Sequence, residues 1–192
     1  AKTLFPYTTL FRSAKGALFQ VNAETGDKRI SGSFASLAGL EKAQDDHDRE
    51  TAVQRILMGH ALIAAFGGIP LIYMGDELAL LNDRSYLTVP EHAHDSRWIH
   101  RPAMDWTLAE TRHHGDTPAA RVFTGTRHIL ARRRATAALH AGNATRITPC
   151  DAPQIFAFTR ETPTGNLLCL FNFSENWVHL PEAWLRAQGI AN

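Results

Sequence analysis

Apolar residues between Val53 and Ala64 recur at spacings of three and four. Val53, Ile56, Leu57, His60, Ala61 and Ala64 therefore share one face of a helix that starts near Glu50. Gly67-Gly68 ends it, since glycine takes left-handed backbone geometry at little cost. A shorter helix through Leu37 and Leu40 is predicted to begin at Ser33, a good N-cap, and to end before the charged loop Gln44 to Glu50. Pro70 to Met74, PLIYM, is wholly apolar and short, which predicts a strand buried on both faces, as in a parallel sheet covered by helices. Helix, double glycine and buried strand together make an α/β unit. The spacing predicts another helix over Pro118 to Leu139, with Val122, Ile129 and Leu130 on its apolar face and Gly142 beyond it. From Thr145 the pattern turns to period two. Ile155, Ala157 and Thr159 alternate with Phe156 and Phe158, and a turn at ETPTGN leads into LLCLFNF, Leu167 to Phe173, which reads as a β-hairpin. A domain boundary is placed near Ala141 to Thr145.

Composition adds limits. Of 192 residues, 44% are hydrophobic and 20% charged, so a packed core is expected rather than disorder. The formal charge of +1 supplies no broad field toward nucleic acid or a membrane surface. The longest apolar run, Ala61 to Phe66, falls well short of the roughly 18 residues that span a bilayer. Cys150 and Cys169 make neither a disulfide framework nor a metal motif and read as reduced thiols, which points to a cytoplasmic protein. RHILARRR, Arg127 to Arg134, spreads its charge around a helix without interleaved aromatics, so a solvated face is expected and not a nucleic-acid interface. The triplets at Asn143 and Asn172 matter for glycosylation only in a secreted eukaryotic protein.

Three segments carry candidate chemistry. IPLIYMGDE, Ile69 to Glu77, puts Asp76 and Glu77 after the apolar run, where barrel enzymes assemble their sites. On the residues alone, bracing of neighbouring loops is the preferred role, because buried carboxylates need partners. HDSRWIHRPAMD, His94 to Asp105, mixes Asp95, Arg97, Trp98, His100, Arg101 and Asp105. Sugars present apolar ring faces edged with hydroxyls, so aromatic platforms with charged hydrogen-bond formers suit them. His92, His94, Asp95 and His100 do not fall at a metal-ligand spacing, so no metal is expected, and nothing requires an organic cofactor. FQVNAETGDKR, Phe19 to Arg29, offers Gln20, Asn22, Asp27 and Arg29 to a hydroxyl-rich ligand, with an ordinary polar loop as the other reading.

Thr3 to Ser13, TLFPYTTLFRS, resembles the conceptual translation of a common sequencing adapter, so residues 1–13 are set apart as non-native. The remainder is similar to the amylosucrase family of the α-amylase superfamily in FQVNAETGDKRISG, GGIPLIYMGDELALLND and DSRWIHRP, in that order. The second string points to the superfamily; the first and third narrow it to amylosucrase and the similar sucrose hydrolases. The resemblance implies an α/β fold in which residues 14–142 are the C-terminal portion of a (β/α)8 TIM barrel, with Pro70 to Met74 as its eighth strand. Residues 143–192 would then begin an antiparallel β-sandwich domain. It implies retaining glucosyl transfer from sucrose to an α-1,4-glucan, with release of fructose. The catalytic carboxylates would lie upstream of Ser13, so the chain carries no catalytic residue and is inactive alone. Arg97 corresponds to the arginine that closes the glucosyl pocket, Arg29 to a residue near the acceptor subsites with Gln20 and Asn22 beside it, and Asp76, Glu77 and Asp95 to supports. Sucrose hydrolase, another α-glucosidase or isomerase, and a non-catalytic sugar-binding or structural module are the alternatives.

Overall fold

The computed structural model describes residues 13–189, so residues 3–12 of the adapter-like string lie outside the described part. The chain divides into two compact units. Of the described residues, one unit holds 13–60 and 72–128, and the other 61–71 and 129–189. They are called the helical unit and the sheet unit below.

In the helical unit, strands β1 (Ala17–Phe19) and β2 (Arg29–Ser31) pair as an antiparallel hairpin, with Leu18 opposite Ile30. The sequence reading had a polar loop here, and a three-residue strand is too short to show a period. Helix α1 (Phe34–Ala38) starts where expected: the Ser33 side chain accepts the Ser36 N–H at 3.3 Å, and Gly39, at φ 109°, closes the last turn. Helix α2 (Asp46–Phe66) begins one turn before the predicted start, because Asp45 Oδ1 accepts the Asp48 N–H at 2.8 Å. Helix α3 (Trp106–Thr111) is capped by Asp105, and helix α4 spans Pro118–Ala135. The predicted stretch to Leu139 instead ends in a separate 3-10 turn at Ala137–Leu139.

Val53 and Ile56 of α2 pack with Ala35 and Ala38 of α1, Ala79 and Val122 of α4, all buried. Burial of each large aliphatic side chain is worth about 1.5–3 kcal/mol. A Cβ placed on Gly59 would come within 2.3 Å of the Phe34 ring, so glycine there lets α1 approach α2 closely. A second cluster gathers Leu78, Leu80 and Ala109 with Met104, Leu108 and Phe123.

The sheet unit contains the last turns of α2 and α4, from residues 61 and 129, with β3 (Thr145–Ile147), β4 (Ile155–Thr162) and β5 (Gly165–Asn172) in the antiparallel order β3-β4-β5. The expected hairpin is present, with Phe158 opposite Cys169 and Thr162 opposite Gly165. Its centre has no solvated face. Ala157, Phe158, Thr159 and Arg160 are all buried, with Phe158 edge-on to Phe66 at 5.2 Å and stacked on Phe171 at 5.7 Å. The short helix α5 (Glu182–Ala187) follows, and both cysteines are free thiols.

The buried strand expected at Pro70 to Met74 is not formed. These residues belong to no helix or strand, and among the described residues both sheets are antiparallel, so no barrel is evident. Ile69 is 91% exposed and Leu71 77%. A central parallel strand needs hydrogen-bonding neighbours on both edges and helices over both faces. The described residues supply this segment with no neighbouring strand, so an apolar run that reads as core stays in solvent.

Candidate functional site around Arg97

The helical unit brings together two of the three segments singled out from the sequence. The β1–β2 hairpin lies against the 3-10 helix Ser96–His100. Asp95 organises that helix. As N-cap it accepts the Arg97 N–H at 3.0 Å, and both its carboxylate oxygens accept from Arg97 Nε, at 2.8 and 3.0 Å, while Nη2 reaches Oδ2 at 2.8 Å. These hydrogen bonds from Arg97 hold the Asp95 carboxyl down to about 2, and the same pairing raises the guanidinium. The Arg97 side chain remains 59% exposed, and its Nη1 is directed at no described carboxylate.

On the hairpin, Asn22 is spent on the turn. Its Oδ1 accepts the backbone N–H groups of Glu24 and Thr25 at 2.8 and 3.1 Å, and its own N–H donates to the Asp27 carbonyl at 2.7 Å. Thr25 Oγ1 donates to Asp27 Oδ2 at 2.7 Å. Gln20 sits at φ 50°, a left-handed position uncommon for a side-chain-bearing residue, and is exposed. Arg29, opposite Phe19 in the register, is exposed and makes no ion pair among the described residues. Arg29 and Gln20 are thus available to a ligand, whereas Asn22 first shapes the loop.

Asp76 and Glu77 stand elsewhere in the same unit. Glu77 Oε2 accepts the Gly75 N–H at 2.7 Å. Burial pushes the Asp76 carboxyl up to about 6, opposed by a hydrogen bond from the Phe34 backbone and helped by the charge of Glu77. Asp76 thus meets the first residue of α1, while Glu77 bonds within its own turn.

Three residues at this site lacked a decisive sequence signal. Asn82 joins distant segments: its Nδ2 donates to the Lys15 carbonyl at 2.8 Å and to Glu41 Oε2 at 2.7 Å, and its Oδ1 accepts the Ser33 N–H at 2.8 Å. Glu41 in turn pairs with Lys15 at 2.8 Å. His92 stacks on Trp98, with ring centroids 3.7 Å apart and an interplanar angle of 17°, and the Arg101 guanidinium lies 5.1 Å from the same indole. Only the three-residue spacing of Asp95, Trp98 and Arg101 hints at this in the sequence. Tyr73 meets His100 edge-on at 6.3 Å. Among the described residues there is no group of three or more His, Cys, Asp or Glu able to hold a metal ion, and no helix is long and apolar enough to cross a membrane.

Chemically, a guanidinium fork fixed on one edge by Asp95 offers its remaining N–H groups to vicinal hydroxyls or to a second carboxylate. The next residue, Trp98, stacks with His92, and a second arginine, Arg29, stands on the hairpin that packs against this helix. The three-stranded sheet, for its part, is consistent with the C-terminal β domain that accompanies enzymes of the α-amylase family. The family model that matches this stretch is the amylosucrase C-terminal domain, over residues 145–192.

Proposed function

We propose that the chain is part of an enzyme that moves a glucosyl group from sucrose to an α-1,4-glucan and releases fructose. The observation that carries this reading is the match of residues 145–192 to the amylosucrase C-terminal domain. The Arg97 site supports it independently. A small site built from a pre-aimed guanidinium, exposed Arg29 and Gln20, and nearby aromatic rings suits a hydroxylated disaccharide, with charge-assisted hydrogen bonds to the hydroxyls and ring faces against the aromatics. In this reading Arg97 closes the glucosyl pocket and Arg29 and Gln20 face the acceptor side. Asn22 shapes their loop, while Asp95, Asp76 and Glu77 act as supports.

The bond-making carboxylates would stand outside this chain. One would attack the glucosyl carbon and a second would protonate departing fructose, with the glucan chain end taking the glucosyl group in the second half of the reaction. Residues 14–142 would then be the last part of a (β/α)8 barrel. The exposed apolar run Ile69–Met74 supports this, since it has the composition of a strand whose neighbours lie elsewhere. Analysis of the products formed by the full-length protein from sucrose tests the reading. Elongated glucan together with free fructose is expected; glucose and fructose in equal amounts would assign a hydrolase instead.

A further inference from the structure

A 3-10 helix has three residues per turn, so side chains three apart stand in one row. The helix Ser96–His100 with its two caps therefore has three rows. One contains Ser96 and Ile99, and Ile99 is fully buried. A second contains Asp95, Trp98 and Arg101. The third contains Arg97 and His100, and it presents the Arg97 guanidinium to solvent. So short a helix has few hydrogen bonds of its own, and their geometry is poor. Its rotation about its axis is set by what its rows touch. Ile99 anchors one row from inside. The Trp98 row is held by the His92 ring at 3.7 Å and carries the Arg101 guanidinium on the indole at 5.1 Å.

We propose that His92 and Trp98 are positioning residues for Arg97. The stack fixes the rotation of the helix and so aims the guanidinium fork. It also keeps Arg101 on the indole and away from Asp95, whose charge it already feels. Without the indole or its imidazole cover, Arg101 competes with Arg97 for the one carboxylate that orients it. His92, which the sequence offers only as a loop histidine or a poor metal ligand, thereby acts on substrate binding through two other residues. That consequence rests on the reading of Arg97 as a sugar contact.

The test uses His92→Ala, His92→Phe and Trp98→Phe in the full-length protein. Near-ultraviolet circular dichroism reports a fixed indole, and subtracting the Trp98→Phe spectrum isolates the band of Trp98. His92→Ala is expected to lose that band and His92→Phe to keep it, whatever the protein does with sucrose. In sucrose turnover, His92→Ala is expected to raise KM about tenfold with kcat nearly unchanged, and His92→Phe to recover most of the loss. An unchanged Trp98 band in His92→Ala overturns the positioning role, as does equal impairment by alanine and phenylalanine. Loss of the band in His92→Ala beside a folded wild type without sucrose turnover sinks the glucosyl reading and leaves the stack established.

Discussion

The imidazole of His60 and the hydroxyl of Thr126, 66 residues apart, meet at 2.8 Å inside the helical unit. His60 is fully buried, lies 5.5 Å from the Phe34 ring, and its Nε2 has no hydrogen-bond partner among the described residues. Burial lowers its affinity for a proton, with the Glu77 charge opposing. Because the folded state holds this proton less tightly than the unfolded chain, the unfolded state binds more protons below pH 6.5, and stability falls as pH drops through that value. Chemical denaturation of wild type and His60→Gln between pH 7.5 and 5 should show a downward slope that the variant lacks; parallel curves would contradict it. Thr126→Val, which strands the Nδ1 atom as well, should cost about 1–3 kcal/mol at pH 7.

Asp76 contributes the opposite slope. Its folded pKa, about 6, lies above the unfolded 3.8, so its contribution is present below pH 3.8 and is lost as pH rises through 6. Asparagine keeps an oxygen for the Phe34 N–H and removes the buried charge next to Glu77. Asp76→Asn should therefore stabilise the protein at pH 7, on the order of 1–2 kcal/mol, and lose that advantage near pH 4. Thermal melts at the two pH values decide it; a lower melting temperature at pH 7 would show that the charge is needed.

Arg160 is a fully buried cation in the middle of β4 and makes no ion pair among the described residues. Its guanidinium donates to the carbonyls of Phe66 at 2.8 Å, His140 at 2.6 Å and Ala138 at 3.3 Å, and to the Thr145 hydroxyl. Burial and the nearby Arg133 charge lower its proton affinity, yet the carbonyl dipoles at the end of α2 favour the cation. Arg133 adds a second guanidinium there, donating to the carbonyls of Ala64 and Gly68. Arg160→Met takes one donor from each of three carbonyls, which keep only the Thr145 hydroxyl on Phe66 and the Asn143 amide groups on Ala138 and His140, and should destabilise the sheet unit by about 1–3 kcal/mol. Thiol labelling of Cys169, which faces Phe158 in the register, should accelerate in step.

Ile69 and Leu71 form an exposed apolar patch without cover among the described residues. Such a patch promotes self-association. Ile69→Lys with Leu71→Lys should raise the monomer fraction in light scattering of the isolated chain without changing its far-ultraviolet circular dichroism. No change in association would place the sticky surface elsewhere.

Where local chemistry decides, the sequence was readable. Ser33 caps α1 as its hydroxyl requires, α2 buries the face marked by Val53, Ile56 and His60, and Gly67-Gly68, with φ values of 140° and 64°, stops it. The hairpin through Phe158 and Cys169 followed from alternation and a Pro-Thr turn. Pro70 to Met74 misled because an apolar run reports a preference for burial, whereas a strand depends on neighbours that no local pattern contains. The β1–β2 hairpin escaped because its strands are three residues each, too short to show a period, and half of their residues are exposed. At the site, residue content marked the loop His94 to Asp105 and the resemblance picked Arg97 from it with Asp95 as a support, but the stacking of His92 on Trp98 depends on how the loop turns back on itself, which residue types do not encode.

The initial rate of fructose release from sucrose, measured with and without glycogen for the full-length protein and its Arg97→Lys variant, decides between transfer and the alternatives. The glucosyl-transfer account predicts release that glycogen accelerates and that Arg97→Lys lowers at least tenfold in kcat/KM, since lysine cannot form the fork. Fructose release indifferent to glycogen, with one glucose per fructose, would contradict transfer; no release at all from the folded wild type would contradict the use of sucrose.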